Sequence, residues 1–141
     1  MSSTLLTGLS GFQAANARLD ARASNIANVL SNGPIPSTPP TQPVGPSASG
    51  SAQVYQSVEP VTQAGPGGGA RTLLSPSTPS YVQQYSPDPS FANAQGVVAA
   101  PNVDLASQIV SSVADSAYAK ANAAIIRTGD ELLHQAINLK S

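Results

Sequence analysis

The sequence predicts a mainly α chain: a long N-terminal and a long C-terminal helix pair as a coiled coil, flanking an irregular Pro/Gly-rich middle that holds a small β-hairpin. Three observations predict it. All 13 prolines lie between Pro34 and Pro101, and proline breaks a helix by removing an amide donor and clashing with the preceding turn. Both proline-free flanks carry apolar residues at alternating steps of three and four. Between them, β-branched and aromatic residues cluster on either side of a glycine-rich stretch, as they do around a hairpin turn. The chain therefore divides into an N-terminal helix (residues 1–32), a middle segment (33–101) and a C-terminal helix (102–141).

In the first flank, Leu5, Leu9, Phe12, Asn16, Leu19, Ala23, Ile26 and Leu30 form one heptad seam, which implies pairing with another helix. Ser2 or Ser3 can cap its start. Gly33 suits the left-handed position past a helix end, and Pro34 blocks continuation. A helix from about Ser3 to about Ser31 would be about 43 Å long. Gly8 and Gly11 weaken it, so alone it would be marginal in water. Asn16 occupies the seam, where a polar group fixes register at a cost in packing. Asn25 and Asn28 flank it and offer amides for which an isolated helix has no use, so they are expected to contact neighbouring copies.

In the middle, residues 34–52 are rich in Pro, Ser and Thr and carry no charge. They read as a semi-extended flexible spacer. Beyond them "VYQSVEPV" and "PSYVQQYS" have strand character, and "QAGPGGGARTLL" between them supplies the turn. Such a hairpin could not stand alone.

In the last flank, Asn102 or Asp104 can cap the helix after Pro101. Ala114, Tyr118, Ala121, Ile125, Thr128, Leu132 and Leu139 form a second seam, with Gln135 filling its missing step. Ile109, Ala123, Ile126, Leu133 and Ile137 run beside it, so the apolar face is wide and rich in alanine. From Val103 to Leu139 the helix would span about 55 Å. A face this wide is expected to meet more than one neighbour, because a free monomer would expose it.

Composition excludes several functions. Six basic residues are scattered along a chain of net charge -1, which provides no basic stripe for nucleic acid. Cysteine is absent, which removes disulfides and thiolate chemistry. His134 is the sole histidine and reads as a solvated helix residue, since a metal needs three or four convergent ligands. The stretch "AGPGGGAR" lacks the Lys-Ser/Thr of a phosphate loop and reads as a turn. No catalytic residue, cofactor, metal or small-molecule substrate is expected. The N-terminus lacks a basic region followed by an apolar one, so Sec export is not indicated, and no apolar run is long enough to span a membrane.

The stretch "RLDARASNIANVLSNG" (residues 18–33) resembles the N-terminal signature of the axial proteins of the bacterial flagellum, in which an Asn-Ile-Ala-Asn run ends the first helix. Residues 85–139, from "YSPDPSFANAQGVVAAPNVDLAS" to "HQAINL", resemble the end of the flagellar basal-body rod protein family, its proximal C-type members in particular. The matching steps are Pro101 to Asp104, Ala117-Tyr118, Ala121-Asn122, and Thr128 to Leu132. The resemblance implies a structural subunit of the periplasm-spanning rod, the drive shaft that carries motor torque to the hook. It implies export through the flagellar type III apparatus and terminal helices that stack with other copies and other rod proteins, with membrane-ring and export-gate components as further candidate partners. The expected assembly interface comprises Leu5, Leu9, Phe12, Asn16, Leu19, Asn25, Ile26, Asn28 and Leu30 in the first helix. Asn102, Tyr118, Asn122, Ile125, Leu132 and Leu139 complete it. The alternative is a soluble adaptor, dimerised by its helices, whose Pro-x-x-P runs (Pro36–Pro39, Pro40–Pro43, Pro76–Pro79) bind a recognition module.

Overall fold

A computed structural model describes residues 2–45, 53–65 and 68–138. The element order is α1 (Ser2–Ala27), β1 (Val58–Ala64), β2 (Ala70–Pro76), β3 (Tyr81–Tyr85), β4 (Val97–Pro101) and α2 (Leu105–Asn138). β1 and β2 form one antiparallel two-stranded sheet, and β3 and β4 form another. Helix makes up about 46% and strand about 20%, so the expected mainly α class is corrected to a mixed helix/sheet fold. A coiled-coil pairing of the helices is likewise not what the structure shows.

The middle departs from the single expected hairpin because its strands choose nearer partners. Val58 to Ala64 pairs with Ala70 to Pro76 across a glycine turn, in which Gly68 and Gly69 adopt φ of 81° and 114°. Only glycine enters that region without a Cβ clash. Tyr81 to Tyr85 instead pairs with Val97 to Pro101, a strand hidden in the sequence by its alanines.

Residues 34–45 are not a loose spacer. Ile35 and Val44 pack on a core of Val54, Tyr81 and Ala99. The Tyr81 hydroxyl donates to Thr38 O at 3.2 Å, and Ser80 donates to Pro40 O through both its amide and its hydroxyl. Tyr81 supplies the aromatic area that a chain this poor in large side chains needs for a small core.

Gly33 has a role other than the left-handed helix end expected of it. α1 stops at Ala27, and Gly33 lies beyond it in an antiparallel bridge to Ala99, with both N–H···O bonds 2.9 Å long. A Cβ there would lie 2.8 Å from the Gln53 carbonyl carbon and closer still to Val54 N. Glycine is required because one backbone crosses directly over another.

α1 is packed on two adjacent faces. Ser10, Ala14 and Asn25 meet the β1–β2 sheet: the Thr72 hydroxyl donates to Ala14 O at 2.9 Å, the Ala70 amide to Ser10 Oγ at 3.1 Å, and the Asn25 side chain bonds Val58. The second face meets α2, which runs antiparallel. Leu5 lies against Gly129, Gly8 against Ile125 and Ile126, and Gly11 against Asn122, while Arg18 and Arg22 bond Asp115 and Asn25 bonds Gln108. Buried Ala15 and Ala119 lie between these pairs. The helices thus meet through small and polar residues, which let the backbones come close. On α1 this face (8, 11, 15, 18, 22, 25) lies one residue before the expected apolar seam. On α2 it (115, 119, 122, 126, 129) lies one residue after. One residue is a rotation of about 100°, enough to turn much of the apolar seam outward.

Candidate assembly interface

Asn25 shows how the chain locks its own elements together. It is 0% exposed. Its amide nitrogen donates to Val58 O at 2.9 Å and to Gln108 Oε1 at 3.3 Å. Its oxygen accepts from Val58 N and from the Tyr55 hydroxyl, both at 3.1 Å. The side chain therefore uses both donors and both acceptor sites, pairing with Val58 as a neighbouring strand would and joining α1, β1 and α2. Asn25 is corrected from an inter-subunit contact to an internal clamp. Asn28 is also occupied locally, with its amide nitrogen on Ser24 O at 2.9 Å and its oxygen accepting from the Ser31 hydroxyl at 3.3 Å. Asn102 ties two segments together: its side chain donates to Pro79 O, and its own carbonyl accepts from Ser57 Oγ. Asp104, not Asn102, caps α2 by accepting from Ser107 N at 3.1 Å.

The remaining expected residues divide by face. Leu5, Phe12, Asn16, Leu19 and Ile26 are half-buried. Leu5 and Ile125 touch the partner helix of the same chain, and Asn122 lies opposite Gly11. Leu9, Leu30, Tyr118, Ile125 and Leu132 are exposed, Leu30 at 85% and Tyr118 at 60%. Leu139 lies outside the described residues.

The most apolar exposed surface was not among the expected interface residues. Leu105, Ile109, Val110 and Val113 form a strip along the first half of α2, turned away from α1, and Val110 and Val113 are each 70% exposed. The alanines beside them, Ala106, Ala114 and Ala117, are exposed as well. Toward the other end the same helix carries solvated polar and charged side chains, with an Arg127–Glu131 ion pair at 3.8 Å and His134 Nε2 lying 3.6 Å from Asp130. α2 therefore presents an apolar half and a charged half to its surroundings. On α1, Leu6 is 64% exposed and Leu9 lies next to it on the helix surface.

The charged residues that hold the helices together were also missed. Arg18 Nε donates to Asp115 Oδ1 at 2.6 Å and Arg22 Nε to Oδ2 at 2.7 Å, with Asp115 only 6% exposed. Arg18 Nη1 also reaches Thr62 Oγ1 at 2.9 Å, and its guanidinium lies 5.7 Å from the Tyr118 ring centre. The available signal was the spacing: Arg18 and Arg22 are four apart on one helix face, and Asp115 interrupts an alanine-rich helix.

Among the described residues no group of three His, Cys, Asp or Glu side chains is placed to hold a metal ion, and no helix is long and apolar enough to cross a membrane. Compared with protein-family models and with curated proteins, the chain matches none.

Proposed function

We propose that this chain is a structural subunit of the bacterial flagellar basal-body rod, exported through the flagellar type III apparatus and assembled through its terminal helices with copies of itself and with other rod proteins. The observation that carries the reading is the exposed strip Leu105–Ile109–Val110–Val113 on α2. The chain makes much of its own helix pairing with glycine, alanine and a polar cluster, and leaves a strip of larger aliphatic side chains on α2 facing outward. Burying one such side chain stabilises by about 1.5–3 kcal/mol, so neighbouring subunits gain by covering them. The resemblance of residues 18–33 and 85–139 to the rod family supports the choice of the rod as that assembly.

The engagement of Ile35, Thr38, Pro40 and Val44 within the chain supports this reading over the adaptor, whose Pro-x-x-P ligand must be free to bind. Deleting residues 2–30 should abolish flagellar assembly. Normal swimming by that mutant would overturn the proposal.

A further inference from the structure

A cleft of about 530 Å³ opens between the two helices and the β1–β2 hairpin, with Arg18, Arg22, Asp115, Thr62, Tyr118 and Asn122 in its wall. Two guanidiniums share one carboxylate there, so the cluster carries a net charge of +1. Both Asp115 oxygens are already taken by the two Nε donors. The Arg18 and Arg22 side chains are only 15% and 14% exposed, and among the described residues their other protein acceptors are only Thr62 Oγ1 and Gln108 Oε1. A guanidinium has five N–H donors, so several on each arginine lack an acceptor from the protein. These free donors face the water of the cleft, and an acceptor of opposite charge can replace that water with charge-assisted hydrogen bonds.

We infer that this cleft binds a carboxylate. A single negative charge neutralises the cluster, whereas a phosphate dianion would place excess negative charge beside Asp115. The planar two-oxygen group also matches the fork of a guanidinium. The volume lies within the range of ligand pockets and far exceeds a bare carboxylate, so the group enters with its carbon stem, against the Tyr118 ring. The carboxylate has two sources of the same chemistry: a free small organic acid, or an Asp or Glu side chain of a second copy. The inference stands without the rod reading.

The test follows the arginine Nε–H resonances of the full-length isotope-labelled chain while sodium butyrate is added, against sodium chloride at equal ionic strength. Butyrate should shift Arg18 and Arg22 saturably, with a Kd in the millimolar range, and chloride should not. Arg22→Gln makes the cluster neutral and should weaken butyrate binding about tenfold, as read at Arg18. The wild-type comparison decides the matter even if that variant fails to fold. Raising the protein concentration without butyrate separates the sources: a shift at the same arginines that butyrate reverses assigns the carboxylate to a second copy, and a concentration-independent spectrum assigns it to a free acid. Equal responses to butyrate and chloride, or an Arg22→Gln response equal to wild type, would overturn the inference.

Discussion

Replacing Asn25 with alanine tests the internal clamp directly. The change removes four hydrogen bonds at a site that is 0% exposed. Two of the four partners keep an alternative, because the Tyr55 hydroxyl lies 3.1 Å from Ser24 Oγ and Gln108 Oε1 accepts from Arg22 Nη1. The Val58 N–H and C=O do not: they face Asn25, and the register opposite Val58 is Pro76, which has no amide hydrogen to donate. Each orphaned group costs about 1–3 kcal/mol, so losing partners for both should make Asn25→Ala destabilise by about 2–6 kcal/mol. Asn28→Ala is the matched control. Its amide bonds a carbonyl one turn away at an exposed position, and the loss should stay within about 1 kcal/mol. Urea titration followed by circular dichroism measures both. If the two variants lose the same stability, or Asn25→Ala falls within about 0.5 kcal/mol of wild type, which is the usual effect of a neutral surface change, the clamp is wrong.

Three further outcomes are expected. Asp115→Ala leaves Arg18 and Arg22 without their shared carboxylate and should cost about 3–5 kcal/mol, read as a lower urea midpoint; a midpoint equal to wild type would show that the cluster holds nothing. Gly33→Ala drives a Cβ into the Gln53–Val54 backbone and should cost more than about 2 kcal/mol. At Gly11 the three atoms nearest an added Cβ all belong to the Asn122 side chain, which can swing aside by giving up its exposed bond to Tyr118 O, and Gly11→Ala gains about 1 kcal/mol of helix propensity, so thermal melts should show a smaller loss for Gly11→Ala than for Gly33→Ala. Replacing residues 34–45 with a Gly/Ser chain removes Ile35 and Val44 from the core, and amide exchange at Tyr81 and Ala99 should quicken by at least tenfold; unchanged protection would restore the spacer reading.

How much of this was legible in the sequence depends on how local each cause is. The placement of proline marks where helix is excluded, and the first prolines after each flank act on their immediate neighbours. The rotation of the helices was not legible, because a wide apolar band and a band of Gly, Ala and polar residues run side by side on each helix at the same period. Which band turns inward depends on the opposing surface: Gly8 admits Ile125 and Ile126 only when α2 is already opposite. Asn25 stood out as anomalous, but its partner Val58 is 33 residues away, so its amide could be given to another copy as easily as to the same chain. β4 was missed because VVAAP is half alanine and proline, and it becomes a strand by pairing with β3 on one side and bridging Gly33 on the other. The Pro-rich segment hid its packing for a similar reason, since Ile35 and Val44 are isolated apolar residues in a run whose composition otherwise describes a spacer.

On the proposed rod function, the outward apolar strip of α2 is the surface that seats this chain against its neighbours. Val113→Asp places a charge on that strip at a position 70% exposed, where the monomer's own stability should hardly change, and inside an assembled interface the same charge would be buried without a partner. The decisive measurement is the amount of this chain in purified basal bodies, by quantitative mass spectrometry, from wild-type cells and from cells carrying Val113→Asp. The chain should be present in the wild type and lost from the variant, whose soluble form should keep wild-type circular dichroism. Absence of the chain from wild-type basal bodies, or incorporation of Val113→Asp at wild-type levels, would contradict it.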